Sequence, residues 1–171
     1  LAAQRAIEMA GIGVDEVDLI IACTFSGDYI YPPLSAKVQM ELKATNAQIF
    51  DLQANCTGFV TGLTVASDRM RVDSTVRNSV IIGVEFLSRY VDRSDVDTAI
   101  YLSDGAGAAV LSRSDDPACG IRSSAFHTDS SNYESVRMRG GGSSYPIISR
   151  AFDPALDYME MNGIATWKQA I

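Results

Sequence analysis

Apolar residues along this chain fall into two kinds of run. Residues 18–25, D-L-I-I-A-C-T-F, and 79–86, S-V-I-I-G-V-E-F, are nearly continuous apolar stretches bounded by polar residues. That is the pattern of strands buried on both faces. Residues 47–52, A-Q-I-F-D-L, alternate small, apolar and polar groups as a shorter strand does. Between these runs the spacing turns helical. Residues 2–10 read as a helix closed by Gly11 in the position that follows a last turn. Pro33 is placed to open a helix running to about Lys43. Residues 57–71 carry Thr57, Gly58, Thr61, Gly62 and Ala66 on one side and Phe59, Val60, Leu63 and Val65 elsewhere. Strands alternating with helices of about 10–15 residues predict βαβ units in a largely parallel, two-sided sheet, an α/β fold.

The second half is less regular. Residues 99–102 and 106–111 read as a hairpin or bent strand around S-D-G-A-G, with a tight turn entering the strand, and residues 120–127 as a further strand. Residues 128–150, rich in Ser, Gly and Arg, predict a surface excursion. Near the end Ile164, Trp167 and Ile171 lie three and four apart, a helical apolar stripe with no stop signal after it. The chain opens on Leu1 within a helix, with no leader-like segment. Both ends therefore read as cut through structure, and the expectation is a piece of a longer protein.

Composition narrows the function classes. With 171 residues, 47% hydrophobic and 20% charged, the chain can bury a sizeable core. It has no run of eighteen apolar residues, so no spanning helix is expected. A net charge of −7 argues against nucleic acid or an anionic membrane surface as partner. Cys23, Cys56 and Cys119 form neither a disulfide framework nor a metal spacing, and the only histidine is His127. No metal is expected, and the default setting is reducing and cytoplasmic.

Cys56 stands out by position. It falls where the strand at 47–52 gives way to the helix at 57–71, with Asn55 as a candidate N-cap. A thiol there meets unpaired backbone N–H groups and the positive end of the helix dipole, which stabilise negative charge on sulfur. A strand-to-helix turn also projects its side chain at the carboxyl edge of the sheet, where α/β proteins bind ligands. Free cysteine is equally at home as a small buried hydrophobe, and position alone leaves both readings open. Cys23, inside an apolar strand, and Cys119, in a loop, take the structural reading, as does His127 at the end of a predicted strand. D-G-A-G-A-A-V, residues 104–110, lacks both the G-x-G-x-x-G spacing with a following helix and a G-K-[ST].

D-L-Q-A-N-C-T-G-F together with the later S-D-G-A-G-A-A-V-L resembles the β-ketoacyl-acyl-carrier-protein synthase III family of thiolase-like condensing enzymes. The resemblance extends through A-I-E-M-A-G-I, P-P-L-S-A-K-V-Q, I-I-G-V-E-F-L-S-R and M-N-G-I-A-T-W-K. It implies the N-terminal half of a layered αβαβα thiolase-like fold. Residues 1–171 would form a partial N-terminal domain, with 128–171 the excursion and helix leading towards a C-terminal half. It further implies that Cys56 takes an acyl group from an acyl thioester before decarboxylative Claisen condensation with a malonyl-type extender. The Cys56 N–H would supply half of an oxyanion hole. By the same resemblance Phe25, Leu87, Tyr101, Leu102, Met159 and Met161 line or border the acyl tunnel. Tyr31 reaches across a homodimer interface, and Lys168 belongs to a carrier-protein docking patch. Acyl-coenzyme A or acyl carrier protein would be substrate and partner, with no cofactor, in fatty-acid or polyketide biosynthesis.

The departures from the family pattern are specific. The family's catalytic His and Asn, and the glycine completing the oxyanion hole, fall in the C-terminal half, so the chain alone is expected to be inactive. Val96-Asp97 stands where members commonly have Arg-Gly beside the coenzyme A channel, and Ser103 where they commonly have Gly. Exchanging a cation for a carboxylate beside a phosphate-bearing ligand is electrostatically unfavourable, and implies a different acyl donor. Two other readings stand beside condensation. One is a non-condensing acyltransferase using the same Cys56 in specialised metabolism; the other is a non-catalytic partner subunit.

Overall fold

The apolar run at 18–25 becomes β1 (Leu19–Cys23), all five of whose residues are buried. The computed structural model describes residues 1–116, 118–148 and 150–170. β1 is flanked in parallel by β2 (Gln48–Leu52) and β3 (Asn78–Phe86), with Leu19 opposite Gln48 and Ser79, and Cys23 opposite Leu52 and Gly83. β4 (Asp104–Ser112) completes a four-stranded sheet in the order β2-β1-β3-β4. The Arg113 N–H donates to the Arg77 carbonyl at 2.8 Å and Ser112 Oγ to Asn78 Oδ1 at 2.7 Å. The end of β4 thus lies beside the start of β3, an antiparallel sense at one edge of an otherwise parallel sheet.

Alternation along β1 divides the core. Ile20 joins Val80, Ile82, Val17, Ala44 and Ala47 with Ala3 and Ile7 of α1 (Ala2–Ala10). Val38 and Leu42 of α2 (Leu34–Leu42) pack against this cluster. Leu19, Ile21 and Cys23 face the other way, with Ile81, Val76 and with Ala66 and Met70 of α3 (Gly58–Val72). Each fully buried Leu or Ile stabilises the fold by about 1.5–3 kcal/mol relative to exposure. Residues 2–10 form the predicted helix, and Gly11 closes it at φ 68° with its N–H on the Glu8 carbonyl. Pro33 sits at the N-cap of α2 as expected.

The chain divides into two compact units, Leu1–Glu85 with Gly105–Ser124, and Phe86–Asp104 with Ala125–Ile171. In the second, β5 (Val136–Met138) pairs antiparallel with β6 (Met159–Met161). It also holds the short helices α4 (Val96–Ala99) and α5 (Pro154–Asp157), and α6 (Gly163–Ala170).

Four local expectations are corrected. Asn55 does not cap α3; it is left-handed at φ 47°, and the N-cap is Thr57, which makes no side-chain cap bond. Residues 99–102 are not a strand, because helical hydrogen bonds carry on from Val96 to Leu102, and β4 begins directly at Asp104 without a turn. Residues 120–127 form no strand, since no neighbour offers a ladder; the Ile121 carbonyl accepts instead from the Arg71 guanidinium at 2.7 Å. Within 128–150, β5 replaces part of the expected irregular excursion, because Val136 and Met138 find partners in Met161 and Met159. The apolar stripe read through Ile171 ends outside the described residues.

Candidate functional site

In the first unit the carboxyl ends of β1, β2 and β3 meet at one edge of the sheet. β2 ends at Leu52, whose carbonyl accepts the Thr24 N–H at 3.2 Å. The chain then makes a tight turn over Asn55–Thr57 and enters α3. Helix and strand approach closely here. A Cβ on Gly62 would lie 2.6 Å from Cys23 Sγ and 3.0 Å from Ile81 Cγ2, and one on Gly83 would lie 3.3 Å from the Phe59 ring. Small residues on α3 therefore bring its first turns onto β1 and β3.

Cys56 occupies the middle of that turn and is exposed. The turn's hydrogen bonds run from the Thr57 N–H to the Ala54 carbonyl and from the Gly58 N–H to the Asn55 carbonyl. Among the described residues this leaves the Cys56 N–H without a backbone acceptor. Cys23 is buried beneath the same helix; its thiol pKa is pushed up by burial and, secondarily, by the Asp51 carboxylate. Cys119 is exposed in a loop, its S–H donating to Asp116 Oδ2 at 3.3 Å. Only Cys56 joins exposure to the carboxyl edge of the sheet.

Two carboxylates that pattern reading passed over anchor this edge. Asp51 of β2 accepts the Leu34 and Ser35 N–H groups at 2.7 and 2.8 Å, so a neighbouring strand caps α2. Glu85 of β3 accepts from Thr24 Oγ1 and the Phe25 N–H, both at 3.3 Å, and from Ser26 Oγ. The legible signal was a lone acid inside each of these two strand segments. Phe25 is half-buried in the loop that Glu85 holds. Tyr31 is almost fully exposed, next to a hollow of about 340 Å³ lined by Tyr29, Pro32, Pro33, Leu34 and Met40.

The other expected site residues lie in the second unit. Leu87 is buried at the head of the turn Leu87–Arg89. Leu102 lines a cavity of about 450 Å³ together with Ser88, Val91, Arg93, Ser103 and Asp104. Asp104 accepts the Ser88 N–H and hydroxyl, each at 2.8 Å; these bonds, the backbone one foremost, lower its pKa. Met159 is buried and its N–H donates to the Tyr90 carbonyl at 2.7 Å, while Met161 is half-buried at the end of β6. Tyr101 and Lys168 are exposed. Leu87, Leu102 and Met159 are thus held by this unit's own packing, whereas Tyr101 and Lys168 stand in solvent. No cluster of His, Cys, Asp or Glu able to hold a metal is present among the described residues. No helix among them is long and apolar enough to cross a membrane.

The edge carrying Cys56 lies within a recognised sequence pattern. The family model for 3-oxoacyl-[acyl-carrier-protein (ACP)] synthase III matches residues 50–130, from β2 through the Cys56 turn and β4. A β-ketoacyl-[acyl-carrier-protein] synthase III of Chlorobaculum tepidum is 33% identical over 99% of this chain and 51% of its own length. Across its whole length the chain is similar to synthase III. It spans about half the length of the curated relatives it matches. The fold agrees: a 3-oxoacyl-[acyl-carrier-protein] synthase III from Aquifex aeolicus VF5 superimposes with a TM-score of 0.82 at 30% identity, over 98% of this chain and 49% of that one. The priming β-ketosynthase of the R1128 polyketide pathway does so with a TM-score of 0.81 at 31% identity, over 99% and 49%. The sheet, its two helical layers and the second unit therefore follow the thiolase-like pattern of synthase III chains.

Proposed function

We propose that the full-length gene product is a condensing enzyme that starts fatty-acid or polyketide chains, with Cys56 as its acyl-carrying nucleophile. The observation that carries this reading is the exposed Cys56 thiol on the turn between β2 and α3, with its own N–H unoccupied. In the first step the Cys56 sulfur attacks the carbonyl carbon of an acyl thioester. The S–C bond to the enzyme forms, the bond to the donor sulfur breaks, and the donor leaves as a thiol. The Cys56 N–H supports this by donating to the carbonyl oxygen as negative charge builds on it. A malonyl-type extender then loses CO₂. Its carbanion attacks the acyl carbon, the C–C bond forms, and the Cys56 thiolate is released. By the family pattern, proton handling in that second step belongs to a His and an Asn outside this chain, so the chain alone carries half of the chemistry and is inactive.

Acyl carrier protein is the partner that the names of the relatives support; acyl-coenzyme A as donor and a cytoplasmic homodimer complete the reading. Tyr31 and the apolar loop around it are the surface proposed for the second copy. Phe25, Leu87, Leu102, Met159 and Met161 are proposed to bound the acyl chain, Tyr101 to border it, and Lys168 to meet the carrier protein. The similarity to a priming ketosynthase of a polyketide pathway favours specialised metabolism as a second setting for the same reaction. Incubation of the full-length gene product with a panel of acyl thioesters should add one acyl mass to the Cys56 peptide. Cys56→Ala should abolish the adduct, and an adduct that persists in that variant would refute the assignment.

A further inference from the structure

Glu85 is the one carboxylate at this edge that grips three consecutive residues of a single loop. From Val80 onward Glu85 is the only polar side chain of β3, and it continues the register in which Cys23 faces Gly83. Its side chain reaches back over the end of β1. Oε1 accepts the Phe25 N–H at 3.3 Å, while Oε2 accepts the Thr24 hydroxyl at 3.3 Å and also the Ser26 hydroxyl. The Thr24 hydroxyl in turn accepts the Ser26 N–H at 3.0 Å, and the Thr24 N–H is held by Leu52 at 3.2 Å. The loop is thereby tied to both neighbours of β1.

A half-buried carboxylate costs desolvation unless its lone pairs are satisfied, and here the loop satisfies them. The arrangement leaves Phe25 with a fixed backbone N–H. Its ring therefore starts from a fixed root rather than from a mobile loop. Cys23, one residue before this loop, lies under α3 at Gly62, and Phe59, three residues after Cys56, packs on Gly83, two residues before Glu85. The loop and the Cys56 turn thus lie at one edge of the sheet, each packed against its neighbour.

We infer that Glu85 is a positioning residue that sets acyl-chain selectivity, by fixing the backbone of Phe25 at the sheet edge that carries Cys56. The inference rests on the acyl-enzyme reading of Cys56 and on the place along the acyl chain proposed above for Phe25. A rigid aromatic wall rejects chains that a yielding wall admits, and a hydrophobic pocket discriminates by about tenfold or more per methylene. Without the carboxylate the loop loses acceptors for one N–H and two hydroxyls, and Phe25 no longer limits length sharply.

The test compares wild type, Glu85→Gln, Glu85→Ala and Phe25→Ala as full-length gene products. Acylation of Cys56 by straight-chain acyl-coenzyme A thioesters is timed by intact mass, with iodoacetamide alkylation of Cys56 as a donor-independent control. Glu85→Ala should change the ratio of rates between the best chain and one two carbons longer by about tenfold, the span of a lost pocket contact. Phe25→Ala should shift the ratio the same way with Glu85 intact. Glu85→Gln, which keeps one oxygen acceptor, should recover part of the selectivity. Rates that fall equally for every chain length, or a ratio unchanged in both Ala variants, would overturn the selectivity role. Wild-type protein that accepts no acyl group while iodoacetamide still alkylates Cys56 would instead sink the acyl-enzyme reading, and the selectivity role with it.

Discussion

At the scale of single residues, half-buried acids in strands decide more than the cysteines do. Asp51 replaces a local N-cap for α2: Pro33 occupies the cap position and has no side-chain acceptor, so the first free N–H groups of the helix turn to a carboxylate one strand away. The same charge stands near Cys23 and adds to burial in keeping that thiol protonated. Asp51→Ala should therefore destabilise the protein by about 0.5–2 kcal/mol, the range for a lost helix cap. Asp51→Asn, with one oxygen acceptor left, should lose less, as denaturant unfolding would show. Cys56 was legible from its place between two patterns, and the structure leaves its side chain exposed on that turn. Asn55 was misread because capping propensity describes an extended residue, whereas this turn needs a left-handed one.

At the scale of elements, α3 is seated by what it lacks. Gly62 faces Cys23 and Ile81 so closely that an added methyl has no room. Gly62→Ala should destabilise the fold by about 1–3 kcal/mol through overpacking. It should also slow alkylation or acylation of Cys56, since the turn moves with the helix. Adding Cys23→Ala should restore part of both losses, because the sulfur is the nearest obstacle; a double-mutant cycle with no coupling would contradict this seating. The alternation Leu19, Ile20, Ile21 serves both sheet faces, which explains why a continuous apolar run was the right signal for a strand covered on both sides. Short elements carried no such signal. α4 and β5 have too few residues for a period to emerge, and β5 exists only through its hydrogen-bond partners in β6.

At the scale of the whole molecule, the two units are held by different forces. The first rests on the apolar faces of its sheet, the second more on ion pairs. Gly140 donates to the Leu156 carbonyl at 2.6 Å. Beside it Arg150 grips Asp157 with both terminal nitrogens, Nη1 to Oδ2 at 2.7 Å. The Arg150 bond, with help from the Asp153 N–H, holds Asp157 down at about 2, and Arg137 likewise lowers Glu160. A depressed carboxylate contributes stability above its unfolded pKa, about 3.9 for Asp. That contribution is lost as pH falls through the folded value. The thermal unfolding midpoint should therefore fall as pH drops from 4 to about 2, and Asp157→Asn should flatten that part of the profile. A carboxyl-carbon titration of Asp157 near the ordinary value would refute the pairing.

Sequence by itself determined the layered α/β class, the three central strands, the helices that cover them and the placement of Cys56. These features depend on periodicity and on local turn chemistry, which neighbouring residues record. Only the tertiary structure decided what Asp51 and Glu85 hold, why Gly62 must be small, and how residues 96–104 and 136–161 are organised. Those depend on contacts between residues distant in the chain. A hydrogen-bond acceptor has no period, and its partner is chosen by packing alone.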